Sequence, residues 1–102
     1  MNNILIIIPT LNENKNVTII YRQISKYQKK ADVLFIDDNS KDGTKEEIEN
    51  LKIKSNKIYY IFRKNKKGIG SAHKTGIKWG YKKKYRYICT MDCDGAHHPK
   101  DL

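Results

Sequence analysis

Val33-Leu34-Phe35-Ile36-Asp37-Asp38 is an unbroken run of large apolar residues ending on two carboxylates. A run without polar alternation predicts a strand buried on both faces, as in a parallel sheet covered by helices. Toward the N-terminus, Val17, Ile20, Tyr21, Ile24 and Tyr27 recur at helical spacing, and Ile4-Leu5-Ile6-Ile7-Ile8 is a second apolar run closed by Pro9. Toward the C-terminus, Asn39 to Gly43 is turn chemistry. Thr44-Lys45-Glu46-Glu47 then predicts a capping box, with the Thr44 hydroxyl and Glu47 carboxylate satisfying free amides of a helix striped by Ile48 and Leu51. Ile58 to Phe62 reads as a third strand, followed by a basic loop from Arg63 to Lys67. The next helix starts near Gly70 and places Ile69, Ala72, Gly76, Ile77 and Gly80 on its packed side. Tyr85 to Met91 is the fourth strand, running into Asp92-Cys93-Asp94. Strands alternating with helices in this order predict an α/β fold with a mainly parallel, right-handed sheet and flanking helices.

The chain has 102 residues, 38% hydrophobic and 31% charged, which fits one small globular domain and excludes a disordered chain. Such a domain buries a modest core, so marginal stability is expected. The 21 Lys and Arg against 11 Asp and Glu give a net charge of +10. That balance favours anionic partners such as nucleotide phosphates, nucleic acid or an acidic membrane surface, whereas single lysines along helix faces are a solvated surface. Cys89 and Cys93 are too few for a disulfide framework. The opening apolar run is too short for a signal core or a membrane span, so a cytoplasmic location with reduced thiols is the expectation. Pro99-Lys100-Asp101-Leu102 reads as the first turn of another helix. The expected domain over 1–102 is therefore C-terminally truncated.

Ligands of an open parallel sheet bind beyond the carboxyl ends of its strands. Pro9 to Glu13, Asp37-Asp38 and Asp92-Cys93-Asp94 all fall there. Two carboxylates flanking one residue, Asp92 and Asp94, can share a hard divalent cation and bridge it to a diphosphate. A solvated acidic turn is the plainer reading of the same residues. Adjacent carboxylates repel, so of Asp37 and Asp38 one is expected to accept hydrogen bonds, fitting a nucleobase N–H or a ribose hydroxyl; alternatively Asp38 opens an Asx-type turn. Arg63 to Gly70 places cations and flexible backbone before a helix, which suits phosphate or a plain basic surface loop. His97 and His98 precede Pro99 as solvated or capping residues. A zinc site from Cys89, Cys93 and His97 is disfavoured because Cys89 lies inside a strand.

In order and spacing, Pro9-Thr10-Leu11-Asn12-Glu13, Asp37 to Thr44, Lys67-Gly68-Ile69-Gly70-Ser71-Ala72 and Met91 to Pro99 resemble family 2 glycosyltransferases of the GT-A fold. The His97-His98-Pro99 ending is most similar to dolichyl- or polyprenyl-phosphate mannosyltransferases. The resemblance implies the N-terminal, nucleotide-binding half of a Rossmann-like GT-A domain. It implies that Pro9, Glu13, Ile36 and Asp38 line the pocket for the nucleoside of a sugar nucleotide. Asp92 and Asp94 would hold Mn2+ or Mg2+ against the diphosphate, with Cys93 contributing backbone nearby. Leu11, Asp37, Lys67 and Gly68 complete the expected donor-binding set. Leu11 stands where relatives often carry an aromatic residue, which puts base stacking there in question. Ala96 replaces a longer or polar residue, so a ligand expected from that side chain is missing; Cys93 replaces a small alanine. The implied reaction inverts the sugar carbon, moving mannose from GDP-mannose to a polyprenyl phosphate whose own charge reduces the demand for a base. No catalytic base is identified among these residues. A membrane-surface association or a partner chain is the further expectation, and nucleic acid is not.

Other readings fit less well. A UDP-sugar donor with a glycan acceptor stays within the family, and a nucleotide-binding chain without turnover is the non-enzyme alternative. Asp92-Cys93-Asp94-Gly95-Ala96 is similar to the nucleophile loop of haloacid-dehalogenase-like phosphatases, but Ala96 replaces a threonine and that loop follows a first strand. The P-loop pattern fails at His73. Phe35 to Asn39 is similar to response-regulator receivers, whose acidic pair also ends a first strand.

Overall fold

The computed structural model describes residues 2–65 and 68–93. Strand β1 (Ile4–Thr10) is paired on both edges, by β2 (Ala31–Asp37) on one side and β4 (Tyr87–Thr90) on the other. β3 (Ile58–Phe62) pairs the far edge of β2, giving the order β3-β2-β1-β4 with every pairing parallel. Helices α1 (Asn14–Tyr27), α2 (Thr44–Lys54) and α3 (Ile69–Lys82) connect the strands in turn.

Side chains alternate across a strand, and both faces of β1 and β2 are apolar for a reason visible in the packing. Ile6, Ile8, Val33 and Phe35 pack with Val17, Ile20 and Ile24 of α1 and Ile48 of α2. Leu5, Ile7, Leu34 and Ile36 pack on the other face with Ala72 of α3. The α/β fold with a parallel sheet and flanking helices is therefore as expected. Chain direction across the sheet reverses between β1 and β4, and this reversal opens a crevice at their carboxyl ends.

Pro9 helps to keep that crevice open. The last strand bond on the β4 side runs from the Met91 N–H to the Ile7 carbonyl. Hydrogen-bonding direction alternates along a strand, so Pro9 faces the same side as Ile7, beyond that bond, where its missing N–H costs nothing.

Three expectations need correction. The capping box does not form: α2 begins after Gly43, at φ 93°, and Thr44 is already inside the first turn. Asp42 takes the capping role instead, accepting from the Thr44 amide at 3.1 Å and the Asn14 amide at 3.2 Å. Glu47 accepts from the Thr18 hydroxyl of α1. On α3, Ala72, Gly76 and Gly80 are the buried stripe, while Ile69 and Ile77 are 63% and 47% exposed. A helix wedged this close to a sheet buries a narrow face, narrower than the apolar pattern suggested. The fourth strand is shorter than Tyr85 to Met91. Tyr85 precedes it, buried, and donates to the Asp32 carboxylate at 2.6 Å. Burial, and then that carboxylate, push its hydroxyl far above the ordinary range.

Candidate functional site

The loops after β1 and β2 are laced together before any ligand is considered. Asp37 accepts from the Thr10 hydroxyl at 2.7 Å and from the Ser40 amide at 2.9 Å. The Ser40 hydroxyl accepts from the Asn12 amide at 2.8 Å, and the Asn12 side chain accepts from the Lys41 amide at 2.9 Å. The Glu13 amide donates to the Thr44 hydroxyl at 2.8 Å. Asn12 and Asn39 turn the chain with φ of 55° and 63°, a region asparagine tolerates better than most side chains.

Against this rim lies a cavity of about 360 Å3, lined by Pro9, Thr10, Leu11, Glu13, Asp38, Gly68, Ile69, Asp92 and Cys93. It occupies the carboxyl-end crevice at the β1/β4 reversal. Of the residues singled out from the sequence, Pro9, Leu11, Glu13, Asp38, Gly68, Asp92 and Cys93 meet here. Lys67 and Asp94 lie outside the described residues, as do Ala96, His97 and His98.

Two placements differ from expectation. Ile36 is fully buried and packs toward α3, where its Cδ1 lies 3.0 Å from the Cβ position of Gly76. It belongs to the core between the sheet and α3 and does not line the cavity. Asp37 is likewise fully buried, and its carboxylate is committed to Thr10 and Ser40. Consecutive residues at a strand end point to opposite faces, so one carboxylate of an adjacent pair reaches the cavity. Here it is Asp38. The local side-chain contact to the turn is made by Asp37, which accepts from the Ser40 amide three residues on, and not by its neighbour.

Arg63, expected in a phosphate-binding loop, is instead buried against Asp38. Its Nη2 donates to Asp38 Oδ2 at 2.7 Å and its Nε to Oδ1. Thr10, inside the rim stretch Pro9 to Glu13, and Ile69 are cavity residues not singled out individually from the sequence. Ile69 was expected on the packed side of α3, and its place in the cavity wall shows only once the helix is seated on the sheet. Burial pushes the Cys89 thiol up, which leaves it protonated and a poor nucleophile or metal ligand. Neither cysteine is in a disulfide.

The positive charge is elsewhere. Segments 26–30, 52–57 and 82–87 carry ten Lys and Arg and no acid, leaving 11 of each sign in the rest of the chain. Each lies at or just past the C-terminal end of a helix, where cations complement the helix dipole. These segments sit at the amino ends of the strands, away from the cavity.

Residues 5–102 match glycosyl transferase family 2. The chain belongs to that family. Among its relatives, the polyprenol monophosphomannose synthase of Mycolicibacterium smegmatis is 33% identical over 99 residues, covering 96% of this chain and 37% of that protein. The undecaprenyl-phosphate mannosyltransferase of Micrococcus luteus is 32% identical, covering 97% and 41%. The dolichol-phosphate mannosyltransferase of Saccharomyces cerevisiae is 33% identical, covering 95% and 37%. This family 2 chain thus spans about two fifths of the length of these curated relatives. In fold it is similar to S. aureus TarS 1–349 solved with UDP, with a TM-score of 0.77 at 22% identity over 92% of this chain and 28% of that one. It is also similar to a mannosyltransferase from Pyrobaculum calidifontis solved with GDP-Man and Mn2+, with a TM-score of 0.68 at 20% identity over 76% and 24%. Among the described residues no helix is long and apolar enough to cross a membrane.

Proposed function

We propose that this chain forms the donor-binding region of a metal-dependent, inverting hexosyltransferase that moves mannose from GDP-mannose to a polyprenyl phosphate. The observation that carries the reading is the cavity at the β1/β4 reversal, with the carboxylate residues Glu13, Asp38 and Asp92 in its wall. A carboxylate accepts and does not donate, which suits the N–H and O–H groups of a nucleoside beside Asp38. A diphosphate beside Asp92 would be repelled unless a cation lay between them. Asp92, with Asp94 two residues on, offers the hard oxygen donors that Mn2+ or Mg2+ prefers. Among the described residues no three His, Cys, Asp or Glu side chains form a metal cluster of their own. Phosphate oxygens of a bound donor would add further hard ligands to the ion. When bound, such an ion stabilises negative charge on the departing nucleoside diphosphate.

The protein's part in the reaction is placement. With the nucleoside fixed at Asp38 and the diphosphate near Asp92, the sugar carbon is presented at the open mouth of the cavity. An acceptor phosphate oxygen then bonds to that carbon on the face opposite the breaking bond, inverting it. The choice of mannose and of a lipid phosphate is supported by the names of the three mannosyltransferase relatives. GDP and manganese are supported by the ligands of the Pyrobaculum enzyme. A lipid acceptor also calls for peripheral contact with a membrane surface.

Calorimetric titration tests this. GDP should bind more tightly with manganese than with chelator, and more tightly than UDP. Equal affinity in chelator, or an undiminished signal in the double variant Asp92→Asn, Asp94→Asn, would sink the metal role.

A further inference from the structure

The cavity wall formed by Asp38, Gly68 and Ile69 comes from two separate elements, the end of β2 and the start of α3. Nothing in the sheet ladder fixes their spacing, because β3 ends at Phe62 and α3 begins on the far side of a loop. The side chain that joins them is Arg63. Its backbone N–H extends the ladder onto the Asp37 carbonyl at 2.8 Å, and its guanidinium then folds back under the cavity wall. Nε and one Nη2 hydrogen fork onto the two Asp38 oxygens, and the second Nη2 hydrogen reaches the Gly68 carbonyl at 3.2 Å. Nη1 reaches the Ser71 hydroxyl at 2.8 Å and the Thr75 hydroxyl at 3.4 Å, both on the first two turns of α3. Five bonds account for all five guanidinium N–H groups.

We propose that Arg63 is a positioning residue of the donor cavity: it fixes the Asp38 carboxylate and the N-terminal end of α3 at one spacing, so that the wall facing the nucleoside is formed before the ligand arrives. This rests on the donor-binding reading above. With every N–H used on the protein and its side chain only 8% exposed, Arg63 has no donor left for a phosphate. The bidentate fork still leaves each Asp38 oxygen a further lone pair for a ligand. Planarity is what the role requires. A lysine keeps the charge, yet one ammonium cannot fork onto a carboxylate while also reaching a carbonyl and two hydroxyls on α3.

The test compares two ligands in three forms of the chain. GDP with manganese, and separately manganese pyrophosphate, are titrated into the unaltered chain, Arg63→Lys and Arg63→Ala, the last repeated in millimolar ethylguanidinium. Arg63→Lys should keep a cooperative melting transition and lose about tenfold or more in GDP affinity, as expected when charge-assisted bonds are lost. Its pyrophosphate affinity should stay unchanged. Ethylguanidinium should restore GDP binding in part to Arg63→Ala and leave the unaltered chain as it was. A residue needed only for folding would weaken both ligands together and would not answer to the added cation. Unchanged GDP affinity in Arg63→Lys, or equal loss of both ligands without rescue, overturns the positioning role while the donor reading stands. Failure of the unaltered chain to bind GDP overturns both.

Discussion

Asp37 accepts from Thr10 and Ser40, whereas Asp38, one residue on, faces Arg63 and the cavity. Both are acids at the end of an apolar strand, and the sequence marks the pair as polar groups at a ligand-binding rim. Which one faces the ligand depends on Thr10 and Arg63, which lie 27 and 25 residues away, and no local pattern reports them. The consequence for mutagenesis is specific. Asp38→Ala leaves a buried guanidinium without its carboxylate, which should cost about 3–5 kcal/mol, close to the whole stability of a small domain. Urea denaturation would show this as a lowered midpoint, and an unaltered midpoint would mean the ion pair adds nothing. Asp38→Asn, which keeps one acceptor, is the better probe of recognition. It should weaken GDP by about 1–3 kcal/mol and leave manganese pyrophosphate nearly unaffected, read by calorimetry.

At the level of elements, α3 and the paired N-termini of α1 and α2 carry the predictions. A Cβ on Gly76 would lie 2.6 Å from Ile7 Cγ2 and 2.9 Å from Ile7 Cδ1, in a fully buried part of the core. Gly76→Ala gains about 1 kcal/mol in helix propensity and should lose about 1–3 kcal/mol to overpacking, a net destabilisation. Its urea midpoint should fall; a rise would show that α3 is less tightly seated than its contacts indicate. Asp42 serves both N-termini. Burial raises its carboxyl, and hydrogen bonds from the Thr44 side chain and from the Asn14 and Thr44 amides outweigh it, so the pKa lies below its ordinary 3.8. A depressed folded-state value stabilises the protein above the unfolded value, and the effect is lost as pH falls through the folded one. Asp42→Asn should therefore be less stable at neutral pH and show a shallower loss of stability below about pH 4. Parallel curves for the two proteins would remove Asp42 from the acid response.

For the molecule as a whole, donor and acceptor must be held in register, an arrangement worth roughly 7–11 kcal/mol when the geometry is right. The described residues build the rim proposed to hold the donor and leave β4 as an edge strand, with Tyr87 57% exposed. The 102 residues alone should bind donor and not transfer sugar. Radiolabelled GDP-mannose incubated with polyprenyl phosphate is the assay, and turnover abolished by Asp94→Asn would refute the expectation. An unpaired edge of this kind also favours a partner or aggregation, which light scattering would register.

The order of elements, the parallel sheet and the rim on which the acids gather follow from the sequence by itself. Short apolar runs alternating with helical periodicity leave few other topologies, and a parallel sheet puts its ligand at the carboxyl ends. What the tertiary structure decided is which of the polar residues on that rim are available. Asp37 and Arg63 looked like ligand-binding groups and are held internally, and Ile36 packs against α3. Asp42 rather than Thr44 caps α2, and the ten cations of the helix ends stand at the amino ends of the strands, away from the cavity. Each of these outcomes depends on a hydrogen-bond partner or a face supplied by a distant segment. Periodicity encodes which side of its own element a residue occupies, and only packing brings the partner that claims it.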